Sequence, residues 1–186
     1  MRLFVALELP APVVERIAER VERERAELPP ASWVPPPNLH ATLAFFGEVD
    51  AAAVEPLARR LSRAVASASP FEARLDGCGA FPRGGPVRVV WLGIEPAEPL
   101  RELAERIRGA AEEVDVPVDE KAFHAHVTLA RCRRPWPARE RRRLDLLAPA
   151  GELVVPAERV ALVSSELAAG GSRYTTVARL PLGADA

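Results

Sequence analysis

The chain holds three histidines, His40, His124 and His126. Two of them stand in matching surroundings. His40-Ala41-Thr42-Leu43-Ala44 returns 86 residues later as His126-Val127-Thr128-Leu129-Ala130. Both copies lie in apolar runs that predict strands, Leu39–Phe46 and Ala122–Arg131. Side chains alternate faces along a strand. His40 and Thr42 therefore share a face, as do His126 and Thr128, while Ala41, Leu43, Val127 and Leu129 turn toward a core. A lone histidine on a strand is ordinarily a satisfied surface or core residue. Two of three histidines in one repeated frame call for another explanation.

A phosphodiester supplies one. It is attacked on one side of phosphorus while its leaving oxygen takes a proton on the other. Imidazole, with an ordinary pKa near ~6.5, serves as base or acid near neutrality. Two histidines across a phosphate give both roles, each transfer contributing typically ~10²–10⁴-fold. Threonine hydroxyls donate to the non-bridging oxygens, where charge builds. The arrangement needs no metal, and it predicts reactive nitrogens roughly 5–9 Å apart. The symmetry of the two copies leaves open which histidine is the acid.

Neighbouring residues have a functional and a packing reading. Phe45, three after Thr42, is either a base-stacking platform or a core residue; stacking is worth ~1–3 kcal/mol per base. Arg131, five after His126, nominally faces away from it unless the strand twists or ends. His124 reads as supporting, Trp91 as core, and Trp33 and Trp136 as loop residues that either rim a cleft or pack. Seven arginines between Arg131 and Arg143 read either as a solvated helix face or as a positive lane for a polyanion. Cys78 and Cys132 read as free thiols.

The elements that must position these residues follow from periodicity. Strands are expected at Arg2–Leu9, Phe71–Cys78, Val87–Ile94, Glu152–Glu166 and Ser172–Leu182, besides the two motif strands. Gly170-Gly171 suggests a hairpin between the last two. Gly47 closes the first motif strand, and Gly77, Gly79, Gly84 and Gly85 with Pro82 and Pro86 mark a loop or turn. Apolar residues at helical spacing predict helices after Pro12, over Ala51–Ala68 and around Leu100–Ala111, with a helical stretch over Pro135–Ala148. Strands and helices interleave with several antiparallel pairs, so the class is α+β. Residues 1–186 read as one domain of two lobes.

Hydrophobic residues make up 48% and charged residues 27%, which excludes a disordered chain. The net charge of −1 excludes a globally basic nucleic-acid coat protein. No apolar run reaches the ~20 residues of a membrane span. The opening residues are too soon charged for a signal peptide, so a cytoplasmic protein is expected. Nothing argues for an oligomer, so a monomer is expected. Three rival readings remain: a histidine-triad nucleotide hydrolase built on His124-x-His126, a zinc hydrolase using all three histidines, and a non-catalytic binder of RNA ends or nucleotides. The first leaves the His40 copy unexplained. The second asks threonine to stand near zinc with no carboxylate in either motif.

The two H-x-T-L motifs resemble the signature of the 2H phosphoesterase superfamily. Asn38 to Val49, Val89-Val90-Trp91-Leu92-Gly93, Phe123 to Arg131, and Ser164-Ser165 through Arg173-Tyr174-Thr175 are similar to the bacterial RNA 2',3'-cyclic phosphodiesterase branch, also called 2'-5' RNA ligase-like. The resemblance implies a bilobal, pseudo-twofold α+β fold, with antiparallel-rich sheets lining a central cleft and helices outside. It implies hydrolysis of a terminal 2',3'-cyclic phosphate to a 2'-phosphomonoester without metal or cofactor, with 2'-5' ligation as the reverse direction in some relatives. It implies RNA ends as partners, tRNA halves or cyclic nucleotides among them. It assigns His40 as proton donor to the departing 3'-oxygen and His126 as acceptor from water. Thr42, Thr128 and Arg131 would bind the phosphate, and Phe45, Arg173 and Tyr174 would contact substrate.

Overall fold

The computed structural model describes residues 1–149, 151–168 and 171–184, with the side chain of Ala168 left aside. Among these residues, nine strands form one antiparallel sheet: β1 (Arg2–Glu8), β2 (Ser32–Trp33), β3 (His40–Glu48), β4 (Phe71–Phe81), β5 (Val87–Glu95), β6 (His126–Trp136), β7 (Val154–Ala157), β8 (Arg159–Ala168) and β9 (Gly171–Pro181). The strand order is β7-β4-β5-β6-β3-β1-β8-β9, with β2 added beside β6. Read outward from the β6–β3 junction, the two halves match strand for strand. The chain is therefore α+β with internal pseudo-twofold symmetry, as expected.

Three helices cover one face: α1 (Ala11–Glu24), α2 (Ala51–Ala66) and α3 (Ala97–Glu112). Each contributes an apolar stripe at helical spacing, such as Leu57, Leu61 and Val65 on α2. These stripes pack with Ala41, Leu43, Val127 and Leu129 in the main core. A smaller cluster of Phe4, Ala6, Ala161 and Val163 lies on the other face. The motif strands are thus anchored by one face and free to present chemistry on the other.

Several expectations are corrected. The β6 strand begins at His126, not Ala122, and runs on to Trp136; the expected helical stretch is a 3-10 segment, Ala138–Leu147. The expected strand Glu152–Glu166 breaks at Glu158 into β7 and β8, near opposite ends of the sheet. Pro156 has no N–H to donate, which suits an edge strand. β3 continues through Gly47 to Glu48, and β4 through Gly77 and Gly79 to Phe81. Gly77, at φ 64°, sits where the register shifts between Asp76 and Cys78. Of the expected Gly170-Gly171 turn, Gly170 lies outside the described residues and Gly171 opens β9. The two-residue β2 was not foreseen.

Gly79 has a packing reason. A Cβ there would stand 2.3 Å from two ring carbons of Trp91, its cross-strand partner. Gly79→Ala is expected to cost about 1–3 kcal/mol by forcing the ring aside. Gly84→Ala, with nothing within 4 Å of the new methyl, is expected to cost far less. Urea unfolding of both variants checks this; equal stabilities would contradict it.

Candidate active site

Ala41 pairs directly with Val127 across the β3–β6 junction. This register sets His40 opposite Thr128 and His126 opposite Thr42. The two histidines become diagonal neighbours on one face, which in antiparallel sheets lie ~7–8 Å apart. That spacing fits two groups reaching one phosphate from different sides.

Each motif strand then changes face at the same place. On β3, Val5 pairs with Ala44 but Ala6 with Thr42, so Leu43 is the extra residue. On β6, Val90 pairs with Ala130 but Trp91 with Thr128, so Leu129 is the extra residue. A bulge of this kind shifts the alternation by one. Phe45 and Arg131, at equivalent positions of the two copies, are thereby turned to the His/Thr face. Both line a cavity of about 900 Å³ with Thr42, Phe81, His126 and Thr128. The bulge removes the objection that Arg131 faces away from His126.

A second cavity of about 480 Å³ is lined by His40, Asn38, Phe4 and Tyr174. The Phe4 and Tyr174 ring centroids lie 5.0 and 5.4 Å from that of His40. The Phe81 centroid is 5.2 Å from the rings of both His126 and His124. Trp91 lies 4.7 Å from His124 and 6.3 Å from His126. Opposite Thr128 in the register, Trp91 lies on the His/Thr face beside the histidine rings; the expectation that it is a core residue is corrected. Phe4, Phe81 and the carbonyl of Asn38 were not foreseen. Asn38 and His124, each two residues before a motif histidine, were the available signal.

Both imidazoles are oriented alike. His40 Nδ1–H donates to the Asn38 carbonyl at 2.7 Å, and His126 Nδ1–H to the His124 carbonyl at 2.6 Å. A carbonyl only accepts, so the proton sits on Nδ1 and Nε2 is left for chemistry. The Thr42 hydroxyl donates to neutral His40 Nε2 at 3.1 Å. Asn38 is itself held, its Nδ2 donating to the Ser172 carbonyl at 2.9 Å.

Burial holds the His40 pKa below the ordinary imidazole value; its Asn38 carbonyl bond opposes this, and the charges of His126 and Arg131 add to it. Burial also lowers His126, against its carbonyl bond to His124 and with the help of His124 and Arg131. His124 is lowered by burial and Arg83. Burial pushes the Cys78 thiol up to about 12, far from a thiolate at neutral pH. Among the described residues, no group of three or more His, Cys, Asp or Glu is placed to hold a metal ion.

Other predicted residues fall in varied places. Tyr174 belongs to the cluster. Arg173 is exposed on the alternate face of β9, paired in register with Glu166. The Arg2 guanidinium lies 5.0 Å from the Phe45 ring centroid. Trp136 is buried, its Nε1 donating to the Pro30 carbonyl at 3.1 Å. The arginine run divides: Arg139 and Arg143 pair with carboxylates, while Arg141 donates to the carbonyls of Ala80, Pro82 and Gly85, bracing the loop after Phe81.

The antiparallel fold and paired H-x-T motifs define a 2H phosphoesterase. Residues 10–168 match the model of the 2'-5' RNA ligase superfamily, and the chain belongs to that family. It is 38% identical over 193 residues to an RNA 2',3'-cyclic phosphodiesterase of Thermus thermophilus, covering 98% of this chain and 90% of that protein. A solved structure of a Thermus thermophilus protein aligns with TM-score 0.82 and 34% identity over 100% of both chains. The E. coli LigT complex with 3'-AMP aligns with TM-score 0.78 and 31% identity over 97% of each.

Burial sets the pKa of both motif histidines lower in the folded protein than in the unfolded chain. The unfolded chain therefore takes up more protons as pH falls below about 6.5, and stability is lost until the folded rings protonate too. NMR titration is expected to give both midpoints below ~6.5. Urea unfolding is expected to show lower stability near pH 5 than near pH 7.5, with the difference reduced in a His40→Gln/His126→Gln protein. Midpoints above 6.5 would contradict the burial argument.

Proposed function

We propose that this protein hydrolyses the 2',3'-cyclic phosphate at RNA ends to a 2'-phosphomonoester by two-histidine acid-base catalysis without metal, and that 2'-5' ligation is the same displacement with a 5'-hydroxyl attacking phosphorus in place of water and the 3'-oxygen leaving. The observation that carries the reading is the matched pair of Nε2 atoms, each fixed by an Nδ1–H bond to the carbonyl two residues earlier and joined through one antiparallel register. Neutral His126 accepts a proton from water as it attacks phosphorus. Protonated His40 gives its Nε2 proton to the departing 3'-oxygen. The hydroxyls of Thr42 and Thr128 and the Arg131 guanidinium take the non-bridging oxygens, where charge grows. The anionic phosphate favours the proton that burial disfavours, so the pair carries one proton in the bound state. Phe45 and Tyr174 offer aromatic faces to the nucleoside.

Relatives named RNA 2',3'-cyclic phosphodiesterase support the substrate assignment. Free Cys78 and Cys132 suit a reducing cytoplasm. The protein is taken to act as a monomer. Its substrates are RNA ends such as tRNA halves, with small cyclic nucleotides as minimal analogues.

With EDTA present, the wild type is expected to convert an RNA ending in a cyclic phosphate to the 2'-phosphate. His40→Ala and His126→Ala should each lower kcat by ~10²–10⁴-fold, and Thr42→Ala or Thr128→Ala by up to ~10²–10³-fold. Turnover abolished by EDTA, or tight binding of RNA ends with no product, would overturn the reading.

A further inference from the structure

Beyond the phosphate, two strands that carry site residues run on to one cavity. β6 carries His126 and Thr128 and continues to Arg133, about 16 Å past Thr128 at ~3.3 Å per residue. β9 carries Tyr174, and Gly171 lies three residues before it. Arg133, Arg134, Trp33 and Gly171 line one cavity of about 1120 Å³, floored by prolines. It is continuous in the chain with both halves of the site, yet none of its residues belongs to the acid-base machinery.

Its charge is distinctive. Arg139 and Arg143, later in the same run, are neutralised by Glu140 and Glu27. Among the described residues, Arg131, Arg133 and Arg134 form no ion pair. Arg133 instead donates to the neutral Ser32 hydroxyl at 3.1 Å. Two uncompensated guanidiniums share this cavity with Trp33, half-buried against the helix-side core but still lining the cavity; single-stranded nucleic acid requires such a pairing, cations for backbone phosphates and a ring for a base.

We propose that this cavity is a binding site for single-stranded RNA upstream of the reacting end, with Arg133 and Arg134 on backbone phosphates and Trp33 against a base. The proposal rests on the phosphodiesterase reading for which end is bound, but not for the binding itself. The ~16 Å offset corresponds to about two to five nucleotides, at ~3.4 Å per stacked nucleotide and more when extended. A cyclic mononucleotide fills only the phosphate site; an oligonucleotide reaches both.

The test compares 2',3'-cyclic CMP with a short single-stranded RNA ending in a cyclic phosphate, for wild type, Arg134→Ala and Arg133→Ala/Arg134→Ala. Fluorescence anisotropy with the same RNA carrying a 2'-phosphate measures binding apart from turnover. The double variant is expected to keep wild-type kinetics on cyclic CMP. Its KM and Kd for the oligonucleotide should rise at least about tenfold at low salt, and its log Kd against log salt should flatten by about 1.4, at ~0.7 per lost contact. Arg134→Ala, which disturbs no hydrogen bond to another described residue, should show about half that slope change. Unchanged oligonucleotide binding, or equal losses on both substrates, would overturn the proposal. If wild type turns over neither substrate but the variants still lose RNA affinity, the binding site stands and the phosphodiesterase reading falls.

Discussion

The direct pairing of Ala41 with Val127 is the contact on which the site depends. It is where the two halves of the sheet meet, and it aligns the motif copies head to tail. Small and branched apolar side chains at this pair are buried against the helices, which fixes the register. A one-residue slip of either motif strand would send its histidine and threonine to the core face. The cost of that slip is large: two polar side chains would enter the core, and Leu43 or Leu129 would leave it. Hydrophobic burial on one face therefore enforces catalytic alignment on the other.

The same economy governs electrostatics. Aromatic rings crowd His40 and His126, and burial favours the neutral form of both imidazoles. Carbonyls two residues upstream hold the Nδ1 protons, so only Nε2 changes state. Arg131 adds positive charge that disfavours a second proton and attracts a phosphate. A substrate anion brings the negative charge that offsets both, and binding and protonation become linked.

Much of the site was legible from local pattern. The repeated frame around His40 and His126 needed only strand periodicity to place four side chains on one face. The α+β class and the apolar helix faces also followed from spacing. What strand alternation alone did not give depended on long-range pairing. Phe45 and Arg131 reach the cleft because Leu43 and Leu129 are bulged, a property of the neighbouring strands β1 and β5. Trp91 looked like core because an apolar strand with one face toward the cleft reads the same as one buried on both. The break at Glu158 sends adjacent residues near opposite ends of the sheet, and Pro156 was its only local mark. Arg173 and Tyr174 are consecutive in a strand, so alternation separates what the sequence placed together.

The central claim is that His40 and His126 act on one phosphorus from opposite sides. A crystal structure with a uridine–vanadate complex, which mimics the five-coordinate phosphorane, tests it directly. The account predicts Nε2 of His40 and of His126 each within ~2.6–3.2 Å of a different apical oxygen, with Thr42 and Thr128 on the equatorial oxygens. Vanadate held by one histidine alone, or with both histidines on the same apical side, would contradict it.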